Sequence, residues 1–141
     1  MTPPLYNKEI LRLAASVADR PRLASPCATA ERRSPTCGSR VIIDISVDDD
    51  GRVTEFGQEV RACALGQASA VLLGRGIIGR SAPEILLTAN ILRAFLAAES
   101  DNPSNWPGLD IFAPARPHRA RHASILLAFD AAAEAAQRAS R

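Results

Sequence analysis

The stretch RVIIDISVDDDGRVTEFGQEVR, residues 40–61, constrains the fold more than any other part of the chain. Val41, Ile43, Ile45 and Val47 alternate with mostly polar neighbours, the period-two signature of a strand with one buried face. Asp48-Asp49-Asp50-Gly51 supplies turn chemistry, with Asp50-Gly51 as the expected type I′ pair of a hairpin. A second strand runs from Arg52, and Gly57 is expected to mark a bend or bulge beyond which the chain continues as a third pairing segment.

Helical patterns surround this hairpin. Residues 4–18 place Leu5, Ile10, Leu11 and Leu13 on one side, and Pro21 ends that region. From there to Ser34 the composition is Pro, Ser, Ala and Arg, which reads as loop. After the hairpin, a helix is predicted over 65–78, closed by Gly79. Ser81 and Glu84 read as a capping box for another helix that runs to about Glu99. A turn-rich loop, SDNPSNWPG, and an irregular basic stretch lead to a last helix over 122–138, with Ile125, Leu126, Phe129, Ala132, Ala133 and Ala136 on its buried side. Trp106 is expected to fold against the helices. Segregated strands and helices predict an α+β fold: a small three-stranded antiparallel sheet with helices packed on one face, in a single domain spanning residues 1–141.

Composition narrows the function classes. With 47% apolar residues and only 4% aromatic, the core must be built from Ala, Leu, Ile and Val. A net charge of +2 is too balanced to predict nucleic-acid or membrane binding. The basic stretch RPHRARH has no interleaved aromatic and reads as a solvated face or a protein-docking patch. No apolar run is long enough to cross a bilayer. Three cysteines, Cys27, Cys37 and Cys63, are an odd number that argues against a disulfide framework and for a reducing, cytoplasmic setting. Asp48, Asp49 and Asp50 sit in a turn, and neither Ser69 nor Ser124 has a base that the sequence can assign, so no enzyme activity is predicted.

Three residues with soft or borderline donor atoms fall at element ends, where loops converge. Cys37 lies in SPTCGSR before the first predicted strand, Cys63 lies before the first long helix, and His122 opens the last helix. A helix N-terminus favours the thiolate, the form that binds metals. Taken singly, a cysteine reads as a small buried apolar residue and His122 as a capping or solvated histidine. The spacing matches no zinc-finger pattern.

The residues TCGSRVIIDISVDDDGRVTEFGQEVRACALGQASAVLLGRGIIGRSAPE resemble the NifU/IscU-type iron–sulfur cluster assembly scaffold family, including its SufU-like branch. A Cys-Gly opens a strand, an Asp-x-Gly-type turn follows, a cysteine precedes a small-residue helix, and a Gly-x-Ser closes it. HASILLAFDAAAEAA is similar to the family's His-Cys-Ser-x-Leu-Ala helix, and LYNKEILRLAASVADRPR to its first helix and Pro-Arg loop. The resemblance implies a scaffold that binds iron, zinc or a nascent cluster in one pocket. It places Cys37, Cys63 and His122 at ligand positions.

Two family positions differ. Ser39 stands where the family has aspartate, and Ala123 where it has the third cysteine. Cys27 is at no family ligand position, although its loop could bring it near the pocket. Pro117 stands alone where the IscU branch carries a Leu-Pro-Pro-Val-Lys chaperone-docking motif. Two thiolates and an imidazole are an incomplete cage for a cluster but a good zinc set, with a fourth position for water, Ser39, Cys27 or a partner's residue. A homodimer could supply missing ligands. The resemblance implies a cysteine desulfurase as partner. It leaves three readings: a scaffold with a transient Fe–S cluster, a zinc-dependent sulfur acceptor for the desulfurase, or a homologue that has lost the site.

Overall fold

A computed structural model of the chain describes residues 6–16, 18–35 and 38–140. Helix α1 (Lys8–Ala15) precedes strands β1 (Ala28–Arg33), β2 (Arg40–Val47) and β3 (Val53–Arg61). Helices α2 (Ala64–Gly76) and α3 (Ala82–Leu96) follow, then two 3₁₀ segments (Leu109–Ala115 and Arg119–Arg121) and helix α4 (His122–Ala139). The expected α+β class holds: the sheet is three-stranded and antiparallel, in the order β1-β2-β3.

The third strand is not where the sequence pattern puts it. It is β1, ATAERR, inside the region that reads as loop. Its Ala and Thr residues and its charged end carry no period-two apolar signal, and pairing to β2 supplies what propensity lacks. β3 runs through Gly57 without interruption, and the ladder's irregularity falls between Ser46 and Val47 instead. The glycine has another purpose. A Cβ at Gly57 would lie 2.4 Å from the Pro21 carbonyl oxygen, because residues 21–23 pass directly over it.

That segment changes the expected burial of β2. One face carries Val41, Ile43 and Ile45 against the helices, and the other is buried too, beneath residues 21–27. Asp44, on this second face, has no exposed surface. It accepts hydrogen bonds from Arg22 Nε (2.6 Å), Arg22 Nη2 (3.1 Å), the Leu23 N–H (3.0 Å) and Thr29 Oγ1 (2.6 Å). Burial alone would raise its pKa, but the hydrogen bonds from Arg22, Thr29 and Leu23, with the Arg22 charge, outweigh it and hold the carboxyl below its ordinary value.

The hairpin turn also differs from expectation. Left-handed backbone is confined to Gly51 (φ 78°), so Asp50-Gly51 is not a type I′ pair. The Asp48 carboxylate accepts from the Asp50 and Arg52 N–H groups and ties the turn internally.

Helix α1 is shorter than predicted, and residues 4, 5 and 17 of that prediction lie outside the described residues. The Asn7 side chain caps it by accepting from the Ile10 N–H at 3.0 Å. Helix α4 is the hub, packed on β1, β2, α2 and α3 through an alanine-rich face. Trp106 is 1% exposed: its Nε1–H donates to the Leu72 carbonyl at 2.9 Å and its ring meets Phe129 edge-on. The stretch before α4 is ordered into 3₁₀ turns rather than irregular.

Candidate metal centre

The β2–β3 ladder decides what meets at one end of the sheet. Arg40, first in β2, pairs with Arg61, last in β3. Residues just before β2 and just after β3 are therefore neighbours, although more than twenty positions separate them. They form an open pocket of about 180 Å³ lined by Gly38, Ser39, Arg61, Ala62 and Cys63. Gly38 holds a left-handed backbone (φ 73°) that a side chain would strain. Cys37 lies outside the described residues; its neighbours Gly38 and Ser39 line the pocket.

Cys63 is the N-cap residue of α2, half-buried, in no disulfide, and without a side-chain hydrogen bond to the helix. No acidic residue sits in the first turn of α2. Cys63 therefore sits at the positive end of a helix whose first turn carries no carboxylate of its own.

His122 reaches the same end through helix packing. Ser69 Oγ in α2 donates to the Ile125 carbonyl at 2.6 Å, and a Cβ at Gly66 would lie 3.3 Å from the Ser124 carbonyl oxygen. The first turn of α4 thus rests on the first turns of α2. His122 is half-buried, and its Nε2 lies 3.0 Å from the Ala115 carbonyl and 3.1 Å from that of Arg116. Two carbonyl acceptors at Nε2 place a proton there, and Nδ1 makes no hydrogen bond to either carbonyl. His122 does not line the pocket beside Cys63. Among the described residues no group of three or more His, Cys, Asp or Glu side chains is assembled to hold an ion.

Ser39 is buried and Ala123 is exposed. Cys27 does not approach the pocket. It precedes Ala28, which pairs with Ile45, five residues along β2 from Arg40 and so about 17 Å away. This removes Cys27 as the fourth donor. Ser69 is committed to the Ile125 carbonyl, so no nucleophile–base pair forms there.

Arg116 is a contribution that sequence reasoning did not find. The basic stretch reads as a solvated face or a protein-docking patch, yet Arg116 Nε donates to the Phe95 carbonyl (2.8 Å) and Nη2 to that of Ser100 (3.0 Å), and the guanidinium lies 4.6 Å over the Phe95 ring. Its side chain ties the 3₁₀ segment to the end of α3, and its own carbonyl holds His122. Only its place six residues before His122 offered any signal.

No protein-family model and no curated protein matches the sequence. Solved structures do. The crystal structure of a nitrogen-fixing NifU-like protein (N-terminal) from Brucella abortus aligns with a TM-score of 0.89 at 38% identity, over 95% of this chain and 93% of that one. A candidate iron–sulfur cluster assembly scaffold protein for the SUF system from Fervidobacterium islandicum AW-1 aligns with a TM-score of 0.83 at 19% identity, over 94% and 96%. A hypothetical protein solved at 2.3 Å aligns with a TM-score of 0.77 at 22% identity, over 94% and 99%. The last two support the fold alone.

Proposed function

The chain belongs to the family of NifU-like N-terminal domains, and on that premise we propose that it is an iron–sulfur cluster assembly scaffold in which Cys37, Cys63 and His122 hold iron, zinc or a nascent cluster. The observation that carries this reading is the meeting of hairpin ends: an uncapped cysteine at a helix start lines a pocket with Gly38 and Ser39, and α4 brings His122 to the same end. Two thiolates with one imidazole suit zinc or iron. The His122 Nε2–H bonds to the Ala115 and Arg116 carbonyls are the second-shell contacts that fix the tautomer of a ligating histidine, with Nδ1 as the donor.

The chain's residues bind and orient; the reading assigns them no catalytic step. Cys63 supplies a soft donor at the positive end of α2, His122 an imidazole, and water, Ser39 or a second copy of the chain completes the shell. Among the described residues no helix is long and apolar enough to cross a membrane, and unpaired thiols persist best in a reducing cytoplasm.

Ala123 favours a second reading. It is exposed at the first turn of α4 and cannot take sulfur, so a zinc-dependent partner of a cysteine desulfurase would use Cys37 or Cys63 as acceptor.

Anaerobic reconstitution with iron and sulfide separates the readings. A visible absorbance band that vanishes in Cys63→Ala supports the scaffold. Tight colourless zinc with stimulation of a desulfurase supports the second. Protein that holds no metal has lost the site. Ala123→Cys should improve metal retention; unchanged retention would contradict the alignment of α4 with the family's final helix.

A further inference from the structure

The sheet end that carries the pocket also carries a row of like charges. Arg33, Arg40 and Arg61 are direct cross-strand partners on β1, β2 and β3. Directly opposed residues share a face, and strands lie about 4.8 Å apart, so three guanidinium stems stand side by side across about 10 Å. Like charges so placed destabilise a sheet.

The row is under-neutralised. Glu31 Oε1 serves two of its members, 3.2 Å from Arg33 Nε and 2.6 Å from Arg40 Nε. Those hydrogen bonds, Arg40's first, hold the Glu31 carboxyl below its ordinary value. Glu59, on the same face, pairs with Arg22 at 3.5 Å and also attracts Arg40. Exposed Asp19 accepts from the Val60 N–H through Oδ1. Arg61 lines the pocket two residues from Cys63, is exposed, and makes no ion pair among the described residues. Arg119 and Arg121, in the turn leading into His122, are exposed and equally unpaired among the described residues.

We propose that the Arg33–Arg40–Arg61 row is a docking surface for an acidic segment of the cysteine desulfurase that serves this pocket. The proposal rests on the scaffold reading and adds the chemistry of the partner's contact. A patch this short suits a cluster of carboxylates, which arginine engages through its planar fork. It does not suit a nucleic acid, whose backbone needs a longer basic track and whose bases need aromatic platforms. Because Arg61 lines the pocket with Cys63, a partner held on the row lies beside that pocket, and attraction between opposite charges speeds the encounter.

The test uses the whole chain and the cysteine desulfurase of the same organism. Binding is measured by calorimetry at low and high salt for wild type, Arg61→Glu, Arg40→Glu, Arg40→Gln and Arg75→Glu. Arg75 lies about 18 Å along α2 from Cys63, is exposed, and provides the same charge change elsewhere. The row reversals should weaken binding at least about tenfold, Arg40→Gln by less, and Arg75→Glu by under about twofold; the salt dependence should flatten with each arginine lost. Equal effects from row and control overturn the proposal. So does a wild type that does not bind the desulfurase, or that prefers a single-stranded oligonucleotide. Metal content of the same samples separates the two readings. Metal retained in wild type and Arg40→Glu with undisturbed docking sinks the docking surface alone, whereas absence of metal from every sample sinks the scaffold.

Discussion

The first turns of α3 and α2 face the same requirement, and only the first meets it with a side-chain cap. At α3, Ser81 Oγ accepts from the Glu84 N–H at 3.4 Å, Pro83 occupies a position where no N–H is needed, and Glu84 pairs with Arg52 at 2.9 Å. The expected capping box is half made, because the Glu84 carboxylate turns to Arg52 and the Ser81 hydroxyl rather than back to the Ser81 N–H. At α2, Cys63 sits in the same cap position with extended backbone (φ −67°, ψ 173°) and makes no cap bond. One start is closed by local hydrogen bonds. The other leaves a soft donor and a helix end facing a pocket. Asp44 belongs with the first kind: every oxygen is engaged and no surface is exposed. Satisfied polar groups hold α3 and the covered face of the sheet in place, whereas Cys63, where chemistry is proposed, leaves its cap position open.

Four substitutions probe that contrast. Cys63→Ser should separate function from stability most sharply. Serine is a better N-cap than cysteine, so the metal-free protein should gain about 0.5–1 kcal/mol in urea unfolding, while metal affinity falls by roughly a hundredfold or more. A loss of stability without a loss of metal would reverse the assignment of this helix start.

Asp44→Ala should have the largest effect on folding, about 3 kcal/mol or more, because it strips Arg22, Thr29 and the Leu23 N–H of a shared buried acceptor. The effect carries a pH signature. The folded carboxyl titrates below its unfolded value, so its contribution is fully present above about pH 4 and is lost as pH falls through the folded pKa. Melting curves of wild type and variant should therefore converge in acid. A gap independent of pH would mean that packing, not the ionised carboxylate, carries the effect.

Gly57→Ala should cost about 1–3 kcal/mol, since the added methyl meets the Pro21 carbonyl and residues 21–23 must lift off the sheet. Hydrogen exchange at Leu23 and Cys27, whose N–H groups bond to Asp44 and Ser46, should speed up in step. Unchanged exchange would show that the overlying segment is held from elsewhere. Ser81→Ala is the mildest of the four, with a loss of about 1 kcal/mol and metal content unaltered.

The readability of these features in sequence follows their locality. The β2–β3 hairpin, α2, α3 and α4 are visible because each carries its own periodicity or cap: Val41, Ile43 and Ile45 in the first, Ser81 in α3, Ile125 to Ala136 in the last. Strand β1 is invisible because Ala28 to Arg33 owe their conformation to β2. The burial of Asp44 is invisible because its cover arrives from residues 21–27, in a stretch with loop composition. At the site, Cys63 and His122 are identifiable by their places at element ends. The carbonyls of Ala115 and Arg116 that orient the imidazole are not, since backbone acceptors leave no mark in a sequence.

The account turns on whether side chains from the β2–β3 end and from the start of α4 act on one ion. Elemental analysis of the anaerobically purified full chain, run beside Cys63→Ala and His122→Ala, addresses this most directly. The account predicts stoichiometric iron or zinc in the wild type and its loss from both variants while both remain folded by circular dichroism. Equal metal in all three proteins, or none in the wild type, would contradict it.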